Sequence, residues 1–92
     1  MFLGKRIKEL REEKGLLQRQ LAAELEIDSP LYSKIERGER RAKREQVIKL
    51  ADMLNADEEE LLTLWLAGQV YEIVKDEKIA KAAINFVLPQ IR

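Results

Sequence analysis

Apolar residues recur along this chain at helical spacing, interrupted by short polar breaks. Leu3, Ile7 and Leu10 stand at i, i+4 and i+7, which predicts a first helix from about Leu3 to Lys14, closed by Gly15. From Gln18 to Arg37 the apolar positions are Leu21, Ala22, Leu25, Ile27, Tyr32 and Ile35. One helical face therefore stops near Leu25 and a second begins after Asp28. The spacing predicts two short helices, Gln18 to Leu25 and Ser29 to Arg37, joined by a tight turn. Asp28 suits the N-cap of the second, and Pro30 lies in its first turn, where a missing N–H removes only an already unpaired donor. Ala22 is small enough to let a crossing helix approach, and Ile27 can plug the corner.

Val47, Leu50, Ala51 and Leu54 mark a fourth helix, about Glu45 to Leu54, ended by Asn55. Asp57 with Glu60 three residues on opens a fifth, Glu58 to about Lys75. The acidic run there suits the positive end of a helix dipole and reads as helix-start chemistry, with no metal site. A sixth helix, Glu77 to about Leu88, stops at Pro89. The fold class is all-α.

Composition narrows the chemistry. The 92 residues fit one small domain that is only marginally stable alone. There is no Cys and no His, so the chain can form no disulfide, thiolate nucleophile, ordinary zinc site or imidazole relay. An enzyme would have to rely on carboxylates, lysines or hydroxyls, and none of these gathers in an evident cleft. No cofactor and no metal are expected. Neither a signal peptide nor a membrane span is legible, so a cytoplasmic location is expected. Formal charge is zero, yet residues 1–50 carry 13 Lys and Arg against 9 Asp and Glu (+4), and residues 51–92 carry 4 against 8 (−4). That asymmetry suggests one face for a polyanion and another for a different partner.

Gln18-x-x-Leu21-Ala22, Ile27, Tyr32, Ile35 and Glu36-Arg37-Gly38, preceded by Ile7-x-x-Leu10-Arg11-x-x-x-Gly15, resemble the Cro/repressor (XRE) family of helix-turn-helix DNA-binding domains. The resemblance covers about residues 3 to 66. It implies a five-helix lambda-repressor-like helix-turn-helix domain over residues 1–66, followed by a C-terminal helical extension over 67–92. The chain departs from the family pattern at Glu26, where the turn usually has Gly, and at Ala42, where Pro is common. A left-handed backbone at Glu26 would cost about 1 kcal/mol.

With Tyr32 and Ile35 facing inward, Ser29, Pro30, Ser33 and Lys34 fall on the opposite face of the third helix, with Arg37 at its end. In a docked helix-turn-helix this face enters the major groove of double-stranded DNA, so these four are the candidate base contacts. Lys34 can donate to guanine O6 or N7, Ser29 and Ser33 can reach bases or phosphates, and Pro30 and Leu31 offer apolar contacts only. That thin polar vocabulary leaves room for readout of DNA shape. The stretch Arg37 to Arg44 has five cations in eight residues, suited to the sugar-phosphate strand. The resemblance implies backbone contacts at Arg37, Arg41 and Arg44, with Lys43 and Arg40 adding charge. Gln18 would stand where the second helix points its free N–H groups at a phosphate, although Leu17 before it cannot cap. The resemblance further implies an ion pair between Arg11 and Glu36.

The last two helices carry more apolar residues than one small domain can bury. They are expected both to cover the core and to build a two-fold interface through Leu62, Trp65, Leu66, Val70, Ile73, Ile84, Phe86 and Val87. The sixth helix could be exchanged between chains. Two functions are weighed. One is a homodimeric transcription regulator on an inverted-repeat operator, of the kind found among phage repressors and restriction–modification controller proteins. If each protomer neutralised four or five phosphates, its log–log salt slope would lie near about −7 to −9. The other is an antitoxin-like module whose C-terminal helices bind a different protein.

Overall fold

Six helices and one terminal turn account for the ordered elements of the computed structural model, which describes residues 2–92. They are α1 (Phe2–Glu13), α2 (Gln18–Glu24), α3 (Ser29–Glu36), α4 (Arg44–Met53), α5 (Glu58–Val74) and α6 (Ala80–Val87), then a 3-10 turn at Leu88–Gln90. The architecture is all-helical, with five helices forming a helix-turn-helix domain and a sixth appended to it.

Helix starts follow local chemistry. Asp28 Oδ1 accepts the Leu31 N–H at 2.7 Å and so caps α3. Helices α2 and α4 have Leu17 and Lys43 at the cap position, neither of which offers a capping oxygen. In both, a glutamine three residues on reaches back instead. Gln20 Oε1 accepts the Leu17 N–H at 2.7 Å, and Gln46 Oε1 accepts the Lys43 N–H at 2.8 Å.

The first four helices end alike. A residue with positive φ follows each, Gly15 (66°), Glu26 (59°), Gly38 (77°) and Asn55 (51°). The next N–H then bonds back five residues in a Schellman motif, as Ile27 N–H does to Ala22 O at 3.0 Å and Ala56 N–H to Ala51 O at 2.8 Å. Glu26 thus adopts the left-handed backbone that its family position demands, without the freedom glycine would bring.

One core joins these elements: Ile7 and Leu10 of α1, Leu21, Ala22 and Leu25 of the α2 end, Tyr32 and Ile35 of α3, Ala42, Val47, Leu50, Ala51 and Leu54 around α4, and Leu61 of α5. Helix α1 packs against both α3 and α5, α2 against α3, and α4 against α5. Gly4 makes the first of these contacts possible. A Cβ there would lie 2.8 Å from the Ile35 carbonyl oxygen and would strike the Glu36 carbonyl as well.

The C-terminal third departs from expectation. Only the first half of α5 covers the core, and α6 buries no residue. Its close packing is with the 3-10 turn that follows it. It is also shorter than its apolar pattern suggests, because the chain turns between Lys75 and Ile79 and helix resumes only at Ala80. The molecule is consequently elongated, 42 × 25 × 21 Å. Helix α5 runs unbroken through residues 66 and 67. Among the described residues no helix is long and apolar enough to cross a membrane.

Candidate nucleic-acid interface

Burial of Tyr32 and Ile35, 0% and 4% exposed, fixes the rotation of α3. Ser29, Pro30 and Lys34 are turned to solvent, Ser33 is half-buried, and Leu31 is half-buried at the domain edge. After Gly38 the chain folds back onto the end of α3, where the Glu39 and Arg40 N–H groups donate to the Lys34 carbonyl at 2.8 and 3.3 Å. This positions a loop on which Arg40, Arg41 and Lys43 are exposed while Ala42 is buried. Trp65 of α5 holds the loop from beneath, its Nε1 donating to Ala42 O at 2.7 Å. Arg44 is exposed and lies over the same indole, its guanidinium carbon 5.1 Å from the ring centroid. Four exposed cations thus stand just past the end of α3, Arg40, Arg41 and Lys43 on the braced loop and Arg44 at the first position of α4.

Arg37 is held differently. Its Nε donates to Glu39 Oε2 at 2.6 Å, its Nη2 to Glu39 Oε1 at 3.5 Å, and its Nη1 to Ser33 Oγ at 2.6 Å. The pair is half exposed, and the Arg37 guanidinium beside it holds the Glu39 carboxyl below its ordinary value. Two residues assigned to DNA, Ser33 and Arg37, are therefore bonded to each other, and an acid not singled out in the sequence holds the second.

Behind the outward face of α3 lies a buried polar cluster. Arg11 Nε donates to Glu36 Oε2 at 2.7 Å and Nη2 to Oε1 at 3.2 Å, with side chains 12% and 3% exposed. Arg11 Nη1 also donates to Leu16 O at 2.9 Å, tying the turn after α1 to the end of α3. Gln18 Nε2 donates to Glu36 Oε1 at 3.1 Å, so its carboxamide faces inward and not toward solvent. Burial works to raise the Glu36 pKa, but the hydrogen bonds, Arg11's foremost, outweigh it and hold the carboxyl below its ordinary value. Burial first, and the nearby Glu36 second, push the Tyr32 phenol up. Its Oη nonetheless has no hydrogen bond of proper geometry.

The eight residues expected at a subunit interface divide. Leu62 and Trp65 are half-buried against the domain's own core. Leu66, Val70, Ile73, Ile84, Phe86 and Val87 are exposed. Among the described residues no group of His, Cys, Asp or Glu gathers that could hold a metal ion. Sequence reasoning missed Glu39 and the bracing role of Trp65. The signal for Glu39 was present, an acid two residues after a helix-end arginine, whereas the contact of Trp65 with a backbone carbonyl 23 residues away leaves none.

Comparison with known proteins gives one match. The family profile described as Helix-turn-helix domain fits residues 3–64, which is 62 of the 92 residues and spans α1 to the first two turns of α5. Neither the curated proteins nor the solved structures yield a match.

Proposed function

The chain belongs to the helix-turn-helix domain family, and from that premise we infer a sequence-specific DNA-binding transcription regulator that acts as a homodimer, with α3 in the major groove. The observation that carries this reading is the exposed face of Ser29, Pro30 and Lys34 beside the braced cationic loop. Lys34 is assigned to base recognition with Ser29, Pro30 and Ser33. Arg41, Lys43 and Arg44, with the Gln18 end of α2, are assigned to phosphates. The XRE-type resemblance of residues 3 to 66 supports the same roles, and among regulators of that type the restriction–modification controllers match this chain in length.

Homodimerisation is supported by the apolar surface of the C-terminal third, where ten of the 13 exposed large apolar side chains among the described residues lie, from Leu66 to Ile91. Two copies would set their reading helices one DNA turn, about 34 Å, apart, and the operator would be an inverted repeat. That same surface also favours a second reading, an antitoxin-like module binding a different polypeptide. Size-exclusion light scattering separates the two: a discrete dimer supports the regulator, and a monomeric or aggregating chain supports the module.

Selection of binding sites from a randomised duplex pool tests the main reading. The expected outcome is an inverted-repeat consensus. Lys34→Ala should then cost about 1–3 kcal/mol at its cognate base pair and relax preference there, whereas Arg41→Ala should weaken all duplexes alike and reduce the salt slope. With Arg40, Arg41, Lys43 and Arg44 from each protomer, the log–log salt slope should be near about −7. Loss of affinity by the same factor on every sequence for both variants would contradict the division between reading and gripping residues.

A further inference from the structure

We propose that Arg37 reads a base edge, with Glu39 and Ser33 as the residues that position it, and does not serve as a phosphate grip. This rests on the DNA-binding reading above and deepens it. The guanidinium has five N–H donors. Three are taken by Glu39 and Ser33 Oγ, which leaves two free. The bond to Ser33 shows where the group lies. It reaches back one helical turn along α3 to Ser33, while its other edge is held by Glu39 at the start of the loop that carries the other cations. Two restraints from opposite sides, a carboxylate and a hydroxyl, fix its plane.

Electrostatics point the same way. A carboxylate 2.6 Å from Nε neutralises the cation and repels any phosphate that approaches it. The guanine edge, by contrast, presents neutral acceptors, O6 and N7, which two N–H donors on a fixed plane can satisfy without displacing Glu39. Among the cations of residues 37–44, Arg37 is the one with an ion-pair partner within 4.0 Å. The arrangement separates work that charge count alone would merge: four unpaired cations hold the strand, and a fifth, its charge balanced by Glu39, discriminates.

The test compares wild type, Arg37→Ala and Glu39→Gln on the duplex that wild type selects, on its single-base variants and on unrelated DNA, at several salt concentrations. Both side chains are half exposed at a helix end, so folding is checked by an unchanged helical circular dichroism spectrum. Wild type should disfavour substitution of one G·C pair by about 5- to 150-fold. Arg37→Ala should lose that discrimination while keeping the others. Glu39→Gln should blur the same pair, bind unrelated DNA more tightly, and steepen the salt slope by about 1 per protomer as Arg37 becomes free to take a phosphate. A uniform loss for Arg37→Ala on all sequences overturns the proposal, and so does a Glu39→Gln variant with unaltered preference and salt slope. If wild type selects no sequence at all, the DNA-binding reading fails with it, an outcome visible before any variant is made.

Discussion

Glu36 shows how one buried carboxylate can hold several elements at once. It receives Arg11 from α1 and Gln18 from α2 while belonging to α3, and its side chain is 3% exposed. Removing one partner of such a pair leaves an uncompensated buried charge, and Arg11→Met should destabilise the fold by about 3–5 kcal/mol, a large share of a small domain's stability. The sign of the pH effect follows from the lowered pKa. Stability from this carboxylate is fully present above its ordinary value of 4.5 and is lost as pH falls below that through the lower folded value. Thermal melts between pH 7 and pH 3 should show wild type losing more stability on acidification than Glu36→Gln. Arg11 and Glu36 are 25 residues apart, and no local pattern links them. Only the family resemblance pointed to the pair, just as nothing in periodicity could reveal that Gln18 turns its amide inward.

Where helices begin, end and cross, the sequence was informative to different degrees. Apolar spacing located all six, since each of the first five buries a face against the common core. The turn at Glu26 was legible as a departure from glycine, and its positive φ shows that the motif retains its geometry with a bulkier residue. Crossings were far less legible. Gly4 sits inside α1, where glycine normally costs about 0.5–1 kcal/mol relative to alanine. Propensity alone would make Gly4→Ala stabilising. Packing reverses the sign, because the new methyl would press on the Ile35 and Glu36 carbonyls, which are backbone and cannot swing away. We expect a loss of about 1–3 kcal/mol, with α1 displaced from α3. Gly68 in α5 is the internal control, its nearest neighbour being the Phe2 ring at 4.0 Å. Gly68→Ala should raise stability by about 0.5–1 kcal/mol. Paired denaturation curves distinguish the two cases, and opposite shifts are the expected result.

Taken whole, the molecule is a braced domain with an apolar arm. The excess of apolar residues after Leu61 was visible in the sequence. Their destination was not, because a period of 3.6 residues states which side of a helix is apolar and nothing about what lies across from it. The expectation that α6 would help cover the core fails for that reason. Phe86 and Ile73, 84% and 77% exposed, stand outermost on the arm. On the homodimer reading, Phe86→Asp and Ile73→Asp should each shift light-scattering mass toward a single chain and weaken operator binding, while leaving the melting of the helix-turn-helix domain nearly unchanged. Charge divides the molecule along the same line, with the basic half holding α3 and the acidic half leading into the arm.

The indole of Trp65, the one tryptophan in the sequence, lies where the cationic loop and the arm join, beneath Arg44 and against the Ala42 carbonyl. The protein therefore carries its own optical reporter. A cation resting on the ring perturbs its excited state, so emission should change when a DNA strand draws Arg44 away, and Arg44→Ala should respond more weakly to the same titration. Spectral shifts on mixing would then follow occupancy of the loop in real time, without any attached dye.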